Sequence, residues 1–355
     1  GGQAGIITDG VYGNARILSI HPHSIVRAIE RGQIPVVCGF QGVTTVTEES
    51  EHGSITTLGR GGSDTTASAL GAALNACGVE IYTDVDGVKT ADPDMVPNAR
   101  TLDVCTYEEV AEIAHLGAKV VHPRAAEIAM DHGIPLWVKS TFSDLPGTRI
   151  VGEEEAPEEV RRRVTGVTHT GKIAFIRLEF ENEEHKPFVE QEVYRMMARA
   201  GINIFLVTYS PMALSFAVER SAYPIARDIL DGMVVPVGLD EAARPVSHFY
   251  IFKFSEGLDL AYRNQRPLLS SLEGFIKVVD VPGTAFENGT MVSVIANKHR
   301  GVPGIMAAIY DTLTAAGITI HQVADSDMSI SCLIAENEVD RAVRLLHDRF
   351  QLGEI

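Results

Sequence analysis

Apolar positions along the first 150 or so residues fall into short runs that alternate with helical stripes. IPVVCGF (34–40), VEIYTDV (79–85) and IPLWVKS (134–140) are brief apolar runs of the kind that form buried strands. Between them, GRGGSDTTASALGAALNACG (59–78), TYEEVAEIAHLG (106–117) and VHPRAAEIAMDHG (121–133) place small and apolar residues at helical spacing, and the first and last stop at Gly78 and Gly133. Strand–helix–strand repetition of this kind predicts an α/β layer built on a mainly parallel sheet. EEEAPEEVRRR (153–163) interrupts the pattern with an acidic run and then a basic one, which suits a solvated linker and puts a boundary near 150–165.

The second half repeats itself. AGINIFLVTYSPMALSFAV begins at Ala200 and AGITIHQVADSDMSISCLI at Ala316, a constant offset of 116. Identical pairs include Gly201/Gly317, Ile204/Ile320, Val207/Val323, Ser210/Ser326 and Ser215/Ser331. An amphipathic helix precedes each copy (189–201 and 303–317), ends at glycine and leads into two segments of period-2 alternation, so each unit reads β-α-β-β. Two copies predict a pair of small α+β domains. Between the copies SHFYIFKFSE (247–256) reads as a strand. The boundaries predicted are 1–152, a linker 153–165, a first repeat domain with its connecting insertion at 166–272, and a second at 273–355.

Composition narrows the function. The 355 residues hold 30 Lys+Arg against 47 Asp+Glu, a net charge of −17, which argues against nucleic acid and anionic membrane as partners. No apolar stretch is long enough to span a membrane, and the start resembles no signal peptide. The four cysteines (Cys38, Cys77, Cys105, Cys332) are far apart in apolar runs, and are expected to pack as small hydrophobes in a reducing, cytoplasmic compartment. The chain lacks an initiating Met and is expected to begin inside a larger protein.

Three segments could carry chemistry. Gly59-Arg60-Gly61-Gly62-Ser63-Asp64 is a glycine-rich turn opening a helix, with Ser63 or Asp64 as its expected cap. It offers backbone N–H groups and a planar guanidinium to a carboxylate or phosphate, while Asp64 would orient a cation such as a substrate ammonium. Neither the Walker pattern nor G-x-G-x-x-G is present. Tyr82-Thr83-Asp84-Val85-Asp86-Gly87-Val88-Lys89-Thr90-Ala91-Asp92-Pro93 ends a strand where open α/β sheets bind ligands, although taken alone a plain surface turn is the better reading. Gly117-Ala118-Lys119 puts an ammonium before an apolar pair, placed either to reach a nucleotide's phosphates or to be an ordinary surface lysine. His21, His23 and His122 read as loop or helix-start histidines, and no spacing resembles a zinc site.

Taken together and in this order, GRGGSDTTA, YTDVDGVKTADP, GAKVVHP and the repeat segments GVPGIMAAIYDTLTAAGITI and HDRFQL resemble the aspartate kinases. These belong to the amino-acid kinase fold family and carry C-terminal ACT domains. The resemblance runs the length of the chain and implies ATP-dependent phosphorylation of the L-aspartate side-chain carboxylate to 4-phospho-L-aspartate. That is the opening step of lysine, threonine and methionine biosynthesis. It implies Arg60, Gly61, Gly62 and Ser63 on aspartate, Asp64 and Lys119 as catalytic groups, and Thr83, Asp84, Lys89, Thr90, Ala91, Asp92, Pro93 and Lys119 on ATP, with Mg2+ arriving on the nucleotide. The repeat domains imply a homo-oligomer and an amino-acid effector (lysine, threonine or diaminopimelate) held by Asn203 and Ile204 in the first copy and Gly304, Ile305, Ser326 and Asp327 in the second.

Four departures qualify the resemblance. The family's Lys-Phe-Gly-Gly-Thr-Ser segment and an upstream acidic residue are missing, so these residues alone are expected to show little kinase activity. Asp94 stands where a basic residue is usual, residues 44–57 (with Glu48, Glu49 and Glu51) form a longer loop read as surface, and Glu183-Glu184-His185-Lys186-Pro187 replaces the usual Asp-x-Pro-Gly turn. The alternatives are a catalytically incomplete amino-acid-binding regulatory fragment, or a glutamate or acetylglutamate kinase.

Overall fold

The computed structural model describes residues 1–45, 53–118, 120–157, 164–180, 183, 186–237, 248–253, 277–296 and 303–354. Two compact units emerge, neither continuous in sequence. The first comprises 1–170, 292–332 and 338–355, and the second 171–291 and 333–337.

In the first unit, one sheet has the order β2-β1-β3-β4: β1 Ile6–Thr8, β2 Ile17–Ile20, β3 Gln41–Thr44 and β4 Ile55–Thr57. A second sheet has the order β5-β7-β8-β6: β5 Val79–Thr83, β6 Val104–Thr106, β7 Leu136–Ser140 and β8 Thr148–Val151. β1–β3, β5–β7 and β6–β8 pair in parallel, whereas β1–β2, β3–β4 and β7–β8 are antiparallel, so both sheets are mixed. Helices α2 (Gly62–Ala73), α3 (Tyr107–His115) and α4 (Pro123–His132) pack together and bury Val110, Ile113, Ala125 and Ala129 over Leu136, Val138 and Ile150. α1 (His23–Glu30) buries Ile25 beside β1.

Sequence-local chemistry sets the ends of these helices. α3 starts with a reciprocal capping box, in which Thr106 and Glu109 satisfy each other's backbone N–H groups. α4 has Pro123 in its first turn and ends at Gly133 in the left-handed region. α2 stops at Ala73 rather than running to Gly78, because Asn75 itself turns left-handed at φ 48°.

Three expectations fail here. Residues 34–40 form no strand, and Ile34 and Val36 are 91 and 93% exposed, because the segment has no strand partner among the described residues. Cys38, in that segment, and Cys77, in the turn before β5, are exposed; only Cys105 and Cys332 are buried. Residues 44–57 are not all surface loop, since β4 pairs with β3 and buries Thr56 against Thr8. Residues 46–52 of that loop, 158–163 of the linker, and Glu184 and His185 of the Glu183–Pro187 turn lie outside the described residues, while Lys186 and Pro187 open a helix.

The first unit also contains the second repeat: α7 (Ile305–Ala315), β15 (Gln322–Asp325), β16 (Ser329–Ala335, in part) and α8 (Val339–Arg349). α8 carries His347, wholly buried with Nε2 3.0 Å from Thr90 Oγ1 and Nδ1 without a hydrogen-bond partner. Burial holds this imidazole below its ordinary pKa of 6.5. The unfolded chain therefore binds the extra proton first. The stability contributed by the neutral ring is complete above the unfolded pKa and is lost as pH falls through about 6.5 towards the folded value. Urea unfolding between pH 5 and 8 should show this acid-side loss, and His347→Gln should remove part of the slope; an unchanged slope would assign it to other groups.

The second unit is a sheet of order β10-β11-β9-β14-β13-β12 with α5 (Lys186–Arg199) and α6 (Tyr223–Leu230). Its strands include β9 (Gly166–Glu179, from residue 171), β10 (Phe205–Ser210), β11 (Ala213–Glu219), β12 (Val234–Val237), β13 (His248–Lys253) and β14 (Lys277–Ile295, to residue 291). Val189, Val193 and Met197 of α5 pack on Ile176, Leu178, Leu214 and Phe216. The 116-residue offset is visible residue for residue, since β11 (213–219) corresponds to β16 (329–335) and α5 and α7 end 116 positions apart.

Candidate active site

The glycine-rich turn leaves β4 and enters α2. Its N-cap is Gly61, not Ser63 or Asp64, and no side chain caps the helix. The reason is steric. Gly61 has φ 67°, and a Cβ there would lie 2.2 Å from the His122 ring. Thr65 and Thr66 then return their hydroxyls to the carbonyls of Gly61 and Gly62 at 2.9 and 2.6 Å, and Phe40 N–H donates to Thr66 Oγ1 at 3.0 Å. Asp64 is half-buried, accepting from Ser63 Oγ and from His122 N–H, each at 3.2 Å. Residues 58 positions apart are thereby joined.

Arg60, Gly61 and Asp64 line a cavity of about 410 Å³, together with Ala114, His115, Ala118 and Val120–Pro123. Gly62 is buried in the first turn of α2, and Ser63 faces solvent beside Asp64; neither lines this cavity. His122 caps α4 by accepting from Arg124 N–H at 3.3 Å, as a helix-start histidine would, but it also forms the cavity wall. Burial, with Arg124 nearby, lowers its pKa, so the ring is neutral near pH 7.

A second cavity, of about 370 Å³, is lined by Val85, Gly87–Lys89, Ala91–Pro93, Ile113, Gly117, Ala118, Val120, Gly166–His169 and Ile295. Lys89 ion-pairs with Asp86 at 2.9 Å and donates to Thr101 Oγ1 at 3.1 Å, which holds the Asp86 carboxyl below its usual range. Thr83 and Asp84 lie at the end of β5, where Thr83 Oγ1 donates to Asp84 at 2.9 Å, outside the wall itself. Thr90 is not at the cavity. Its side chain is buried, accepts from Arg100 N–H and meets His347. Asp94 is exposed and its N–H is taken by Asp92 Oδ1 at 2.9 Å.

Lys119 lies outside the described residues, but its chain neighbours Ala118 and Val120 line both cavities. Among the described residues no cluster of three or more His, Cys, Asp or Glu could hold a metal ion, and no helix is long and apolar enough to cross a membrane. In the repeats, Asn203 is exposed and Ile204 half-buried on the second unit's core, while Gly304 caps α7 at φ 103° before buried Ile305. Ser326 and Asp327 sit in the turn before β16, Asp327 exposed and Ser326 with its hydroxyl already engaged. The sequence placed His122 only as a loop or helix-start histidine, and gave no sign that it, His115 or Gly166–His169 wall a cavity. His-Pro at the start of α4 was the local signal for that helix start, and nothing in residues 166–169 signals a cavity wall.

Residues 1–140 match the family model of the amino acid kinase family, and residues 292–350 that of an ACT domain. The aspartokinase of Mycolicibacterium smegmatis is 37% identical over 357 residues, spanning 99% of this chain and 74% of that protein. Aspartokinase 1 of Bacillus subtilis is 32% identical over 357 residues, spanning 100% and 75%. Among solved structures, E. coli aspartokinase III in complex with aspartate and ADP matches with a TM-score of 0.66 at 23% identity, covering 98% of this chain and 68% of that one. The same enzyme in complex with lysine and aspartate matches with a TM-score of 0.64.

Proposed function

Because the chain belongs to the aspartokinase family, we propose that its two cavities divide the reactants, aspartate on the Arg60 side and ATP on the Lys89–Pro93 side. The chain is a phosphotransferase with a carboxylate acceptor. The observation that carries the division is the wall the cavities share at Ala118 and Val120, on either side of Lys119.

The reaction joins two anions. A carboxylate oxygen attacks the γ-phosphorus in line, the bond from phosphorus to the β-bridging oxygen breaks, and ADP leaves with the negative charge. Positioning and cationic stabilisation are the protein's main contributions. Arg60 would grip a substrate carboxylate by its two-pronged face. Asp64, aimed by His122 N–H and Ser63, would orient the substrate ammonium. Lys119 would carry its charge to the transferred phosphoryl group. Mg2+ would enter as the counter-ion of ATP. Lys89 would supply a cation to the nucleotide cavity, near a turn where Asp94 takes the usual basic position.

The remaining assignments rest on the sequence and the family. Residues 1–152 form the kinase domain, 153–165 a linker, and 166–272 and 273–355 the two ACT-like domains. An effector (lysine, threonine or diaminopimelate) would bind the second copy at Gly304, Ile305, Ser326 and Asp327, with Asn203 and Ile204 the matching positions of the first. ACT pairing supports a homo-oligomer, and the cytoplasm is the compartment expected from the cysteine usage.

Calorimetric titration of the full chain tests the division. Arg60→Ala should weaken aspartate binding by about 10- to 100-fold and leave an ATP analogue's affinity unchanged. Lys89→Ala should do the reverse, by about tenfold. If Arg60→Ala weakens both ligands equally, the division is wrong.

A further inference from the structure

The turn between β15 and β16 does more than close a hairpin. Ser326 Oγ accepts from Met328 N–H and Ser329 N–H at 3.1 and 3.0 Å, and Ser326 N–H donates to Ser329 O at 2.9 Å, a self-supporting loop. Both serine hydroxyls then converge on one atom, Glu112 Oε1, Ser326 Oγ at 2.9 Å and Ser329 Oγ at 2.5 Å. Glu112 lies more than 200 positions earlier, on α3.

Its place on α3 matters. The next residue, Ile113, lines the second cavity, Ala114 and His115 line the first, and Ala118 lines both. The last turn of α3 and the loop after it are therefore the wall on which the proposed site depends. Two hydroxyls also reach Leu116 O from the opposite strand, Thr168 at 3.3 Å and Thr170 at 2.7 Å. Glu112 ties α3 to the 326–329 turn through these two hydrogen bonds. Hydrogen bonds from two hydroxyls to one carboxylate are charge-assisted and hold the helix against rotation.

We infer that Glu112 is a positioning residue, through which the Ser326–Ser329 turn fixes the 113–118 wall shared by the two cavities. It touches neither cavity itself. The inference goes beyond the division of reactants, since the wall is clamped whatever ligands the cavities take.

Amide hydrogen exchange of the ligand-free full chain tests it. Exchange across 113–118 should quicken by about tenfold in Glu112→Ala and in the Ser326→Ala/Ser329→Ala pair. Combining all three changes should add nothing further, because both arms cut one clamp. Glu112→Gln keeps Oε1 as an acceptor, so it should restore most of the protection and keep the ATP analogue's affinity that Glu112→Ala loses. Wild-type exchange in Glu112→Ala, multiplying effects in the triple variant, or failure of Gln to rescue would each overturn the inference. The exchange readout needs no ligand, so failure here is distinct from failure of the division tested by titration.

Discussion

Lys119→Ala is expected to lower the rate of aspartyl phosphate formation by about a thousandfold, with much smaller changes in KM for aspartate and ATP. The reason is where charge develops. In the transition state the transferred phosphoryl group lies between two oxygens that both carry negative charge, and a preorganised cation there acts mainly on the barrier; removing one such group typically costs about 10²–10³ in rate. Position 119 lies between two residues that face both cavities, the only ones the two linings share among the described residues. An ammonium leaving the chain at that point is suited to the junction of the two reactants. Lys119→Arg should recover little, because a planar fork does not replace a compact point charge. Initial rates with hydroxylamine trapping of the acyl phosphate would measure this. A Lys119→Ala variant that raises KM and leaves kcat intact would show that the lysine binds ground state and transition state equally.

Gly61→Ala should be the most damaging small substitution in the glycine-rich turn. Left-handed backbone costs an alanine about 1–2 kcal/mol. Here the new Cβ would also lie 2.2 Å from the His122 ring, so the ring and with it the start of α4 must move. The combined loss should be about 2–4 kcal/mol, together with weaker aspartate binding as the Asp64–His122 contact is displaced. Gly133→Ala is the matched control. Gly133 has φ 62° but nothing within 4 Å of the added carbon, so only the conformational cost of about 1–2 kcal/mol should appear. Chemical denaturation of both variants decides it, and equal losses would mean that the His122 contact is not a constraint.

Arg60, Gly61, Asp64, Lys89, Ala91, Asp92 and Pro93, all singled out in the sequence, line the two cavities. Glycine, arginine and aspartate in one turn, and Lys119 after Gly-Ala, are local signals because each depends on what a few consecutive residues can do. The same holds for the capping box of α3, Gly133 as a helix stop, and the repeat whose β11 and β16 coincide at the 116-residue offset. Where the reading failed, partners decided. The run 34–40 has the composition of a strand, but a strand exists only when a neighbour supplies its hydrogen bonds. Cys38 shares that fate.

The chain's order of residues was enough to determine its α/β class, its paired repeats, its acidic character and the residue types of a carboxylate-and-phosphate chemistry. Only the folded chain could decide that Thr90 turns inward to His347, that His122 holds Asp64, that residues 166–169 wall a cavity and that Glu112 meets Ser326 and Ser329. Each is a contact between residues tens to hundreds of positions apart. Local propensity acts over a few residues of backbone, whereas a cavity wall or a buried hydrogen bond forms where packing brings distant segments together, and no short stretch of sequence encodes that distance.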